Sequence, residues 1–439
     1  MKNIIYKNKW TQFFLLALFI SSVVLSSCKK EDDGLDTPMT IAKVYLENVN
    51  SSVPDREVVF ARLGQTLRLE GSGFLGVQKV YINGYSTYFN PVFVTDNSML
   101  VNISRDTPTL EASDDIRNTI RLEKTDANKV AYQFEIRSAA PSITRISHTM
   151  PQAGEFITIY GTGLQNVTEI TFPGNITVTE GIESDDDRGR WCTVIVPEIG
   201  ENSGEIYLKS VNGGAYSPAY FNYRQGLLQN FDDKLPGNGG WSSGEVSDDL
   251  TDVIPAGGGI LPKSQGTYRS LNKTGKLMAA SENSVDLSRY WMNLPDWEGA
   301  SAGIAMTTST DNCGVQMDIY FEGEWNSGHI RFVVADGWGA NKYSMIYAPW
   351  AEGGNRTAVE NPGCWFTVTF PFSNSADFKD LTLESVLNQY GEANYKQSGP
   401  WLENGDRNEV ASQPTNLNVY IDNIRVVPLA AREYSDYPE

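Results

Sequence analysis

The chain has 439 residues, 20% of them charged and 11% aromatic, and a formal charge of −19. A chain this acidic repels nucleic-acid phosphates and anionic headgroups, which excludes a nucleic-acid partner. Glycine and proline are scattered throughout and long helical periodicity is scarce, so the composition is all-β, with a length that allows about two to four domains.

The chain begins with Lys2, Lys7 and Lys9 ahead of an apolar run from Phe13 to Leu25. The run is short for a membrane span and reads as a secretion leader over residues 1–27. Leu25, Ser26, Ser27 and Cys28 resemble the lipobox of bacterial lipoproteins. That resemblance implies that Cys28 is lipidated and becomes the anchored first residue of the mature chain; the alternative is an ordinary leader with a chance cysteine. Lys29, Lys30, Glu31, Asp32 and Asp33 are similar to the acidic export signal of Bacteroidetes lipoproteins. This implies the outer face of the outer membrane, the alternative being a solvated linker. Loss of three lysines with the leader takes the charge from −19 to −22. Residues 28–38 are the lipidated cysteine and a tether: 29–38 carry Gly34 and Pro38 and no apolar period and reach roughly 35 Å at about 3.5 Å per residue.

An internal repeat follows. Gly64, Gly71, Gly73 and Gly84 recur with the same separations as Gly154, Gly161, Gly163 and Gly174, ninety positions on, with strand-like alternation between them. No helix and no Lys-Ser/Thr pair follows either Gly-x-Gly, so neither is a phosphate loop. A strand entering Gly-[Ser/Thr]-Gly, then a second strand ending in Gly, resembles the IPT/TIG type of immunoglobulin-like domain. The resemblance implies one such β-sandwich over 39–139, with Thr107 to Asn118 as an added loop, and a second over 140–224, both acting as spacers. Pro141 after Ala139 and Ala140 restricts the junction. Alternation puts Cys192 with Val194 and Val196 on a buried face. Asp185, Asp186 and Asp187 lack the spacing of a calcium loop and read as a solvated hairpin tip, and no metal site is expected.

The composition shifts after Tyr223. Six of the ten tryptophans fall between Trp291 and Trp365, several among glycines and polar residues rather than inside apolar strands. An indole so placed suits the apolar face of a pyranose ring, so Tyr290, Trp291, Trp297, Trp325, Trp338 and Trp350 are expected to be exposed sugar platforms. Glu324, Asn326, Asp336 and Asn341 stand near enough to choose among hydroxyls. Trp365, on a strand with Thr367 and Thr369 opposite Phe366, Val368 and Phe370, reads as structural, as does Trp241; Trp401, like Trp338 and Trp350, is either a sugar contact or a ring tucked over a sheet edge.

The opening Asn230, Phe231, Asp232 and the closing Tyr420, Ile421, Asp422, Asn423, Ile424, Arg425 resemble the jelly-roll sandwiches of carbohydrate-binding modules, in which first and last strands pair. With the lipobox and the two spacers, the domain order resembles Bacteroidetes surface glycan-binding proteins of the SGBP-B type. This implies a larger jelly-roll-like sandwich over 225–439 that holds a plant cell-wall polysaccharide without cleaving it: a neutral β-glucan, xyloglucan or mannan. It also implies a place beside a SusC/SusD-like importer and no cofactor. Two alternatives stand. A surface adhesin would use the same aromatics to grip protein. A glycoside hydrolase needs two flanking carboxylates, for which Asp296, Glu298, Glu322, Glu324 and Asp336 are available, but no Gly-x-Ser-x-Gly, His-Glu-x-x-His or Cys-x-x-Cys appears, and His148 and His329 fall in different domains. Cys313 and Cys364 are a conceivable pair that sequence leaves open.

Overall fold

A computed structural model describes residues 37–48, 53, 55–125, 128–233, 246–247, 266–272, 275–281, 289–293, 303–335, 343–392 and 397–435. The leader, Cys28 and most of the tether lie outside these residues. The chain divides between Ala139 and Ala140 into two compact units.

In the first unit a sheet ordered Arg56–Glu57, Thr40–Glu47, Thr66–Ser72, Ser98–Asn102 accompanies one ordered Tyr85–Thr87, Val77–Ile82, Thr119–Lys124, Lys129–Gln133. Alternation along the strands sends Leu67, Leu69, Val80, Ile82, Met99 and Leu122 into a core that is closed to solvent. The extra loop folds back on the sandwich: Asn83 Nδ2 donates to Pro108 O at 2.8 Å, and Arg117 Nε donates to Ala112 O at 3.0 Å.

The second unit opens with the other repeat, whose sheets run Ser142–Ile146, Phe156–Thr162, Trp191–Ile195, Glu183–Ser184 and Ile176–Val178, Glu169–Phe172, Tyr207–Ser210, Gly213–Tyr216. The repeated glycines have a physical cause common to both copies. A Cβ on Gly71 would sit 1.9 Å from Thr40 O, and one on Gly161 would sit 1.8 Å from Ser142 O. Each close approach lies beside a bulge in the neighbouring strand, between Ile41 and Lys43 in one copy and between Ile143 and Arg145 in the other. Two residues on, Gly73 and Gly163 both take φ 70°, which L side chains avoid. Cys192 is fully buried with Val194 and Val196, as alternation predicts.

The C-terminal sandwich packs a large sheet against a four-stranded one. The large sheet runs Val246–Ser247, Tyr268–Ser270, Val419–Pro428, Cys313–Phe321, Phe366–Pro371, and Leu227–Gln229 pairs antiparallel with Val419–Pro428, so the first and last strands do meet. The four-stranded sheet runs Met292–Asn293, Gln397–Glu403, His329–Ala335, Tyr343–Tyr347. Met317, Ile319, Phe321, Ile330, Phe332, Phe370, Leu402 and Ile421 fill the space between them, each side chain of this kind contributing about 1.5–3 kcal/mol by burial. Helix Leu383–Glu392 adds Leu383, Val386 and Tyr390 to the same core, at the i, i+3, i+7 spacing of one helix face.

Both faces of Cys313–Phe321 are buried, because the second immunoglobulin-like domain covers part of its outer side. Asn423, with φ 47°, is the extra residue of a bulge that sets Arg425 across from Gln316 and Asp422 across from Asp318. Arg425 Nη2 reaches Asp318 Oδ1 at 3.0 Å and donates to Thr149 Oγ1 at 2.6 Å. The Thr149 hydroxyl donates onward to Gln316 Oε1 at 2.9 Å, its amide to Thr367 Oγ1 at 2.9 Å, and the Thr367 hydroxyl to Asp318 Oδ1 at 2.6 Å. His148 stands 3.5 Å from both Asp318 and Glu155. Burial alone would push the imidazole down, but the two carboxylates outweigh it and raise its pKa to about 9. Burial likewise opposes the charge on Asp318, yet Arg425 and His148 hold its pKa at about 2. The last residues close the contact: Arg432 pairs with Glu205 at 3.0 Å and stacks on Tyr216, and Tyr434 lies 6.0 Å from Tyr207. The boundary expected at 224/225 therefore falls inside one compact unit, because the polar outer face of the large sheet is completed by Thr149 and His148.

Candidate functional site

The tryptophans that look alike in sequence have different fates. Trp325 and Trp350 are fully buried, which corrects the expectation that they are exposed platforms. Both indole N–H groups donate to the same carbonyl, Gly328 O, at 2.8 and 2.6 Å. The polar residues beside Trp325 serve that turn rather than a ligand: Asn404 Oδ1 accepts from Ser327 Oγ at 2.9 Å and from Gly328 N at 3.1 Å. Arg356 covers the Trp350 ring at 4.8 Å. Tyr290 is a second correction: it points between the sheets, 6% exposed, with its hydroxyl 2.6 Å from Gln229 Nε2 and the Arg269 guanidinium 4.8 Å from its ring. Trp297 and Trp338 lie outside the described residues.

Trp291 faces the other way. On the edge strand Tyr290 and Met292 enter the core, so alternation turns Trp291 onto the outer face of the four-stranded sheet. There it meets Trp401 edge to face, with ring centroids 4.8 Å apart and an interplanar angle of 81°, over Val333. Gly399 makes this edge possible, since a Cβ there would sit 2.0 Å from Tyr290 O. Arg289 lies 4.6 Å over the Trp401 ring. Trp291 is 4% and Trp401 5% exposed, so the pair is shielded rather than the open platform expected of Trp291.

Beside the indoles runs a charged row. Arg331 lies opposite Trp401 and His329 opposite Glu403 in register. Arg331 Nε donates to Glu403 Oε2 at 2.8 Å and its Nη1 to Ser344 Oγ at 3.1 Å; His329 Nε2 is 3.1 Å from Glu403 Oε2 and also touches Arg407 Nη2. Burial opposes charge on Glu403, but His329 and Arg331 outweigh it and keep the carboxyl below its ordinary range. Burial, helped by the nearby Arg407, lowers His329 and keeps it neutral near pH 7. The sequence leaves Trp401 open between a sugar contact and an edge ring, and it does not bring Arg289, Arg331, Glu403 and His329 to it. The available signal was the parity of Leu402, whose burial turns Trp401 and Glu403 outward together.

A second aromatic group lies on the outer face of the large sheet, where Tyr268, Tyr320, Trp365 and Tyr420 form a buried cluster. Trp365 is structural here, as its strand position predicts. Tyr320 OH accepts from Asn361 Nδ2 at 3.0 Å and Tyr420 OH donates to Glu322 Oε2 at 3.2 Å, so these polar tips already have partners. Of the remaining polar candidates, Glu324 is exposed and accepts from Asn326 Nδ2 at 3.1 Å, while Asp296, Glu298, Asp336 and Asn341 lie outside the described residues. Cys313 is buried and Cys364 exposed, and both are free thiols, as is Cys192. Among the described residues no group of three or more His, Cys, Asp or Glu is placed to hold a metal.

Comparison with known proteins follows the same division of the chain. A curated relative from Bacteroides ovatus, an IPT/TIG domain-containing protein, is 30% identical over 172 residues, which are 39% of this chain and 34% of the relative. The chain thus spans about a third of that relative's length. The crystal structure of surface glycan-binding protein PbSGBP-B from Prevotella bryantii superposes with a TM-score of 0.63 at 20% identity, over 89% of this chain and 99% of that one. That likeness is one of fold. The family model for the surface glycan-binding protein B xyloglucan-binding domain matches residues 221–428 of this chain, from the end of the second repeat to the end of the last strand.

Proposed function

We propose that the protein binds a plant cell-wall polysaccharide at the cell surface without cutting it, a neutral β-glucan, xyloglucan or mannan. The observation that carries this reading is the match of residues 221–428 to a family model named for xyloglucan binding. Cys28, in its lipobox, holds the chain on the outer membrane facing outward, and the immunoglobulin-like domains present the last domain to glycan beside a SusC/SusD-like importer.

The test is affinity electrophoresis of the chain from residue 29 onward in gels containing xyloglucan, mixed-linkage β-glucan, galactomannan or no polymer. Retardation by one neutral polymer without release of reducing ends is expected. Release of reducing ends would make it a hydrolase, and no retardation in any gel would favour the adhesin. For the anchor, replacing Cys28 with Ala is expected to abolish incorporation of labelled fatty acid and to release the protein from the membrane fraction.

A further inference from the structure

Among the described tryptophans Trp191 is the one that is not buried, and it stands in the second immunoglobulin-like domain rather than in the C-terminal sandwich. Its strand, Trp191–Ile195, pairs antiparallel with Phe156–Thr162, and the register sets Trp191 opposite Tyr160, Thr193 opposite Thr158 and Ile195 opposite Phe156. Ile157, Ile159, Cys192 and Val194 alternate with these residues and fill the core, so the six side chains stand together on the outer face of the sheet. Phe156 is 69% and Ile195 45% exposed, and the other four are half-buried. Charge is kept to the margins. Arg145, opposite Tyr160 in register, lies 3.8 Å over its ring, and Glu183 lies opposite Thr193 on the next strand.

Two apolar rows, Trp191 with Tyr160 and Ile195 with Phe156, thus stand four residues or about 13 Å apart along the strands, with a row of threonine hydroxyls between them. An exposed phenylalanine and isoleucine side by side mark an interaction site. The order of the rows chooses the partner. A protein interface centres on an apolar patch with a polar rim, whereas here the hydroxyls hold the centre and the rings hold the ends. That order suits a polymer whose units each show an apolar ring face and a hydroxyl edge, and six uncharged side chains suit a neutral one. We propose that this face is a second glycan-binding surface, on which Trp191 and Phe156 stack on sugar rings and Thr158 and Thr193 bond the hydroxyls of one chain. This rests on the reading that the protein binds a neutral polysaccharide. The face also ends beside the C-terminal sandwich: Phe156 follows Glu155, which shares His148 with Asp318. A polymer held by the last domain can continue onto it, and two contacts on one chain reinforce each other.

The experiment uses the chain from residue 29 in gels containing xyloglucan, mixed-linkage β-glucan, galactomannan or no polymer. Wild type, Phe156→Ala, Trp191→Ala, the double variant and Phe93→Ala are compared, with thermal melts as a check on folding. Phe93, 55% exposed in the first immunoglobulin-like domain, controls for the loss of any exposed ring. The expected result is a loss of affinity of at least about threefold in each single variant and about tenfold in the double, with Phe93→Ala unchanged. Phe156 stands largely in solvent, so Phe156→Ala decides the matter if Trp191→Ala melts early. Unchanged affinity in folded Phe156→Ala, or an equal loss in Phe93→Ala, would overturn the assignment while leaving glycan binding standing. Failure of the wild type to bind any of the three polymers would overturn the assignment together with the functional reading beneath it.

Discussion

The two outer faces of the C-terminal sandwich are built from similar residues and used differently. On the large sheet, Asp318, Arg425, Gln316 and Thr367 are met by Thr149 and His148 of the preceding domain. On the four-stranded sheet, Glu403, Arg331 and His329 meet one another, and several of their atoms meet nothing. The first face is an internal interface, in which the Arg425–Asp318 pair is held by hydrogen bonds from both domains. The second is a charged row packed beside two shielded indoles within a single domain. The second immunoglobulin-like domain accordingly shares one compact unit with the C-terminal sandwich.

The largest effects should come from breaking the matched face. Asp318→Ala leaves Arg425 and His148 buried without their carboxylate and is expected to cost about 3–5 kcal/mol, read from urea unfolding of residues 140–439. A loss below about 1 kcal/mol would mean that water replaces the carboxylate and that the interface is not held by charge. Trp325→Ala is expected to cost a comparable 3–5 kcal/mol by opening a cavity in the core, whereas Trp291→Ala should cost clearly less. Equal destabilisation by the two would place Trp291 in the core as well.

A smaller effect follows pH. His148 has a folded pKa of about 9 against an ordinary 6.5, so its contribution is complete below about 6.5 and is lost as pH rises through 9. Asp318, held at about 2 against 3.8, contributes above 3.8 and loses that contribution as pH falls through 2. The urea midpoint of the second unit should thus decline between pH 7 and 9.5, and His148→Gln should flatten that decline. A slope unchanged in the variant would show that another group titrates. The smallest effect is on binding: Trp401→Ala should weaken polysaccharide affinity by roughly 1–3 kcal/mol, by analogy with base stacking on aromatic side chains, measured by calorimetry on the ligand that electrophoresis identifies. Undiminished affinity would remove Trp401 from the contact surface.

Much of the architecture was legible in the sequence. The glycine repeat announced two like domains because steric contact admits only glycine at Gly71 and Gly161, and a steric requirement leaves its mark at fixed spacing. Strand alternation placed Cys192 and Trp365 correctly, since period two is a local property of the backbone. The pairing of first and last strands is what the resemblance to carbohydrate-binding jelly rolls implies. The site was far less so. Trp325 sits among glutamate, asparagine and glycine, as an exposed ring would, yet those neighbours fold into the turn whose carbonyl takes its N–H. Trp401, beside Pro400, gave little sign of the arginine above it or the indole against it, because Arg289 and Trp291 arrive from more than a hundred residues away.

The sequence by itself determined the all-β class, the repeat and the supply of aromatic and charged side chains, all of which depend on local sterics and composition. Only the tertiary structure decided which indoles are core and which line a face. It also decided that His148 and Thr149 complete the sheet of the next domain. Both outcomes depend on which strands become neighbours, and that pairing is settled by long-range packing, which leaves no local period to read.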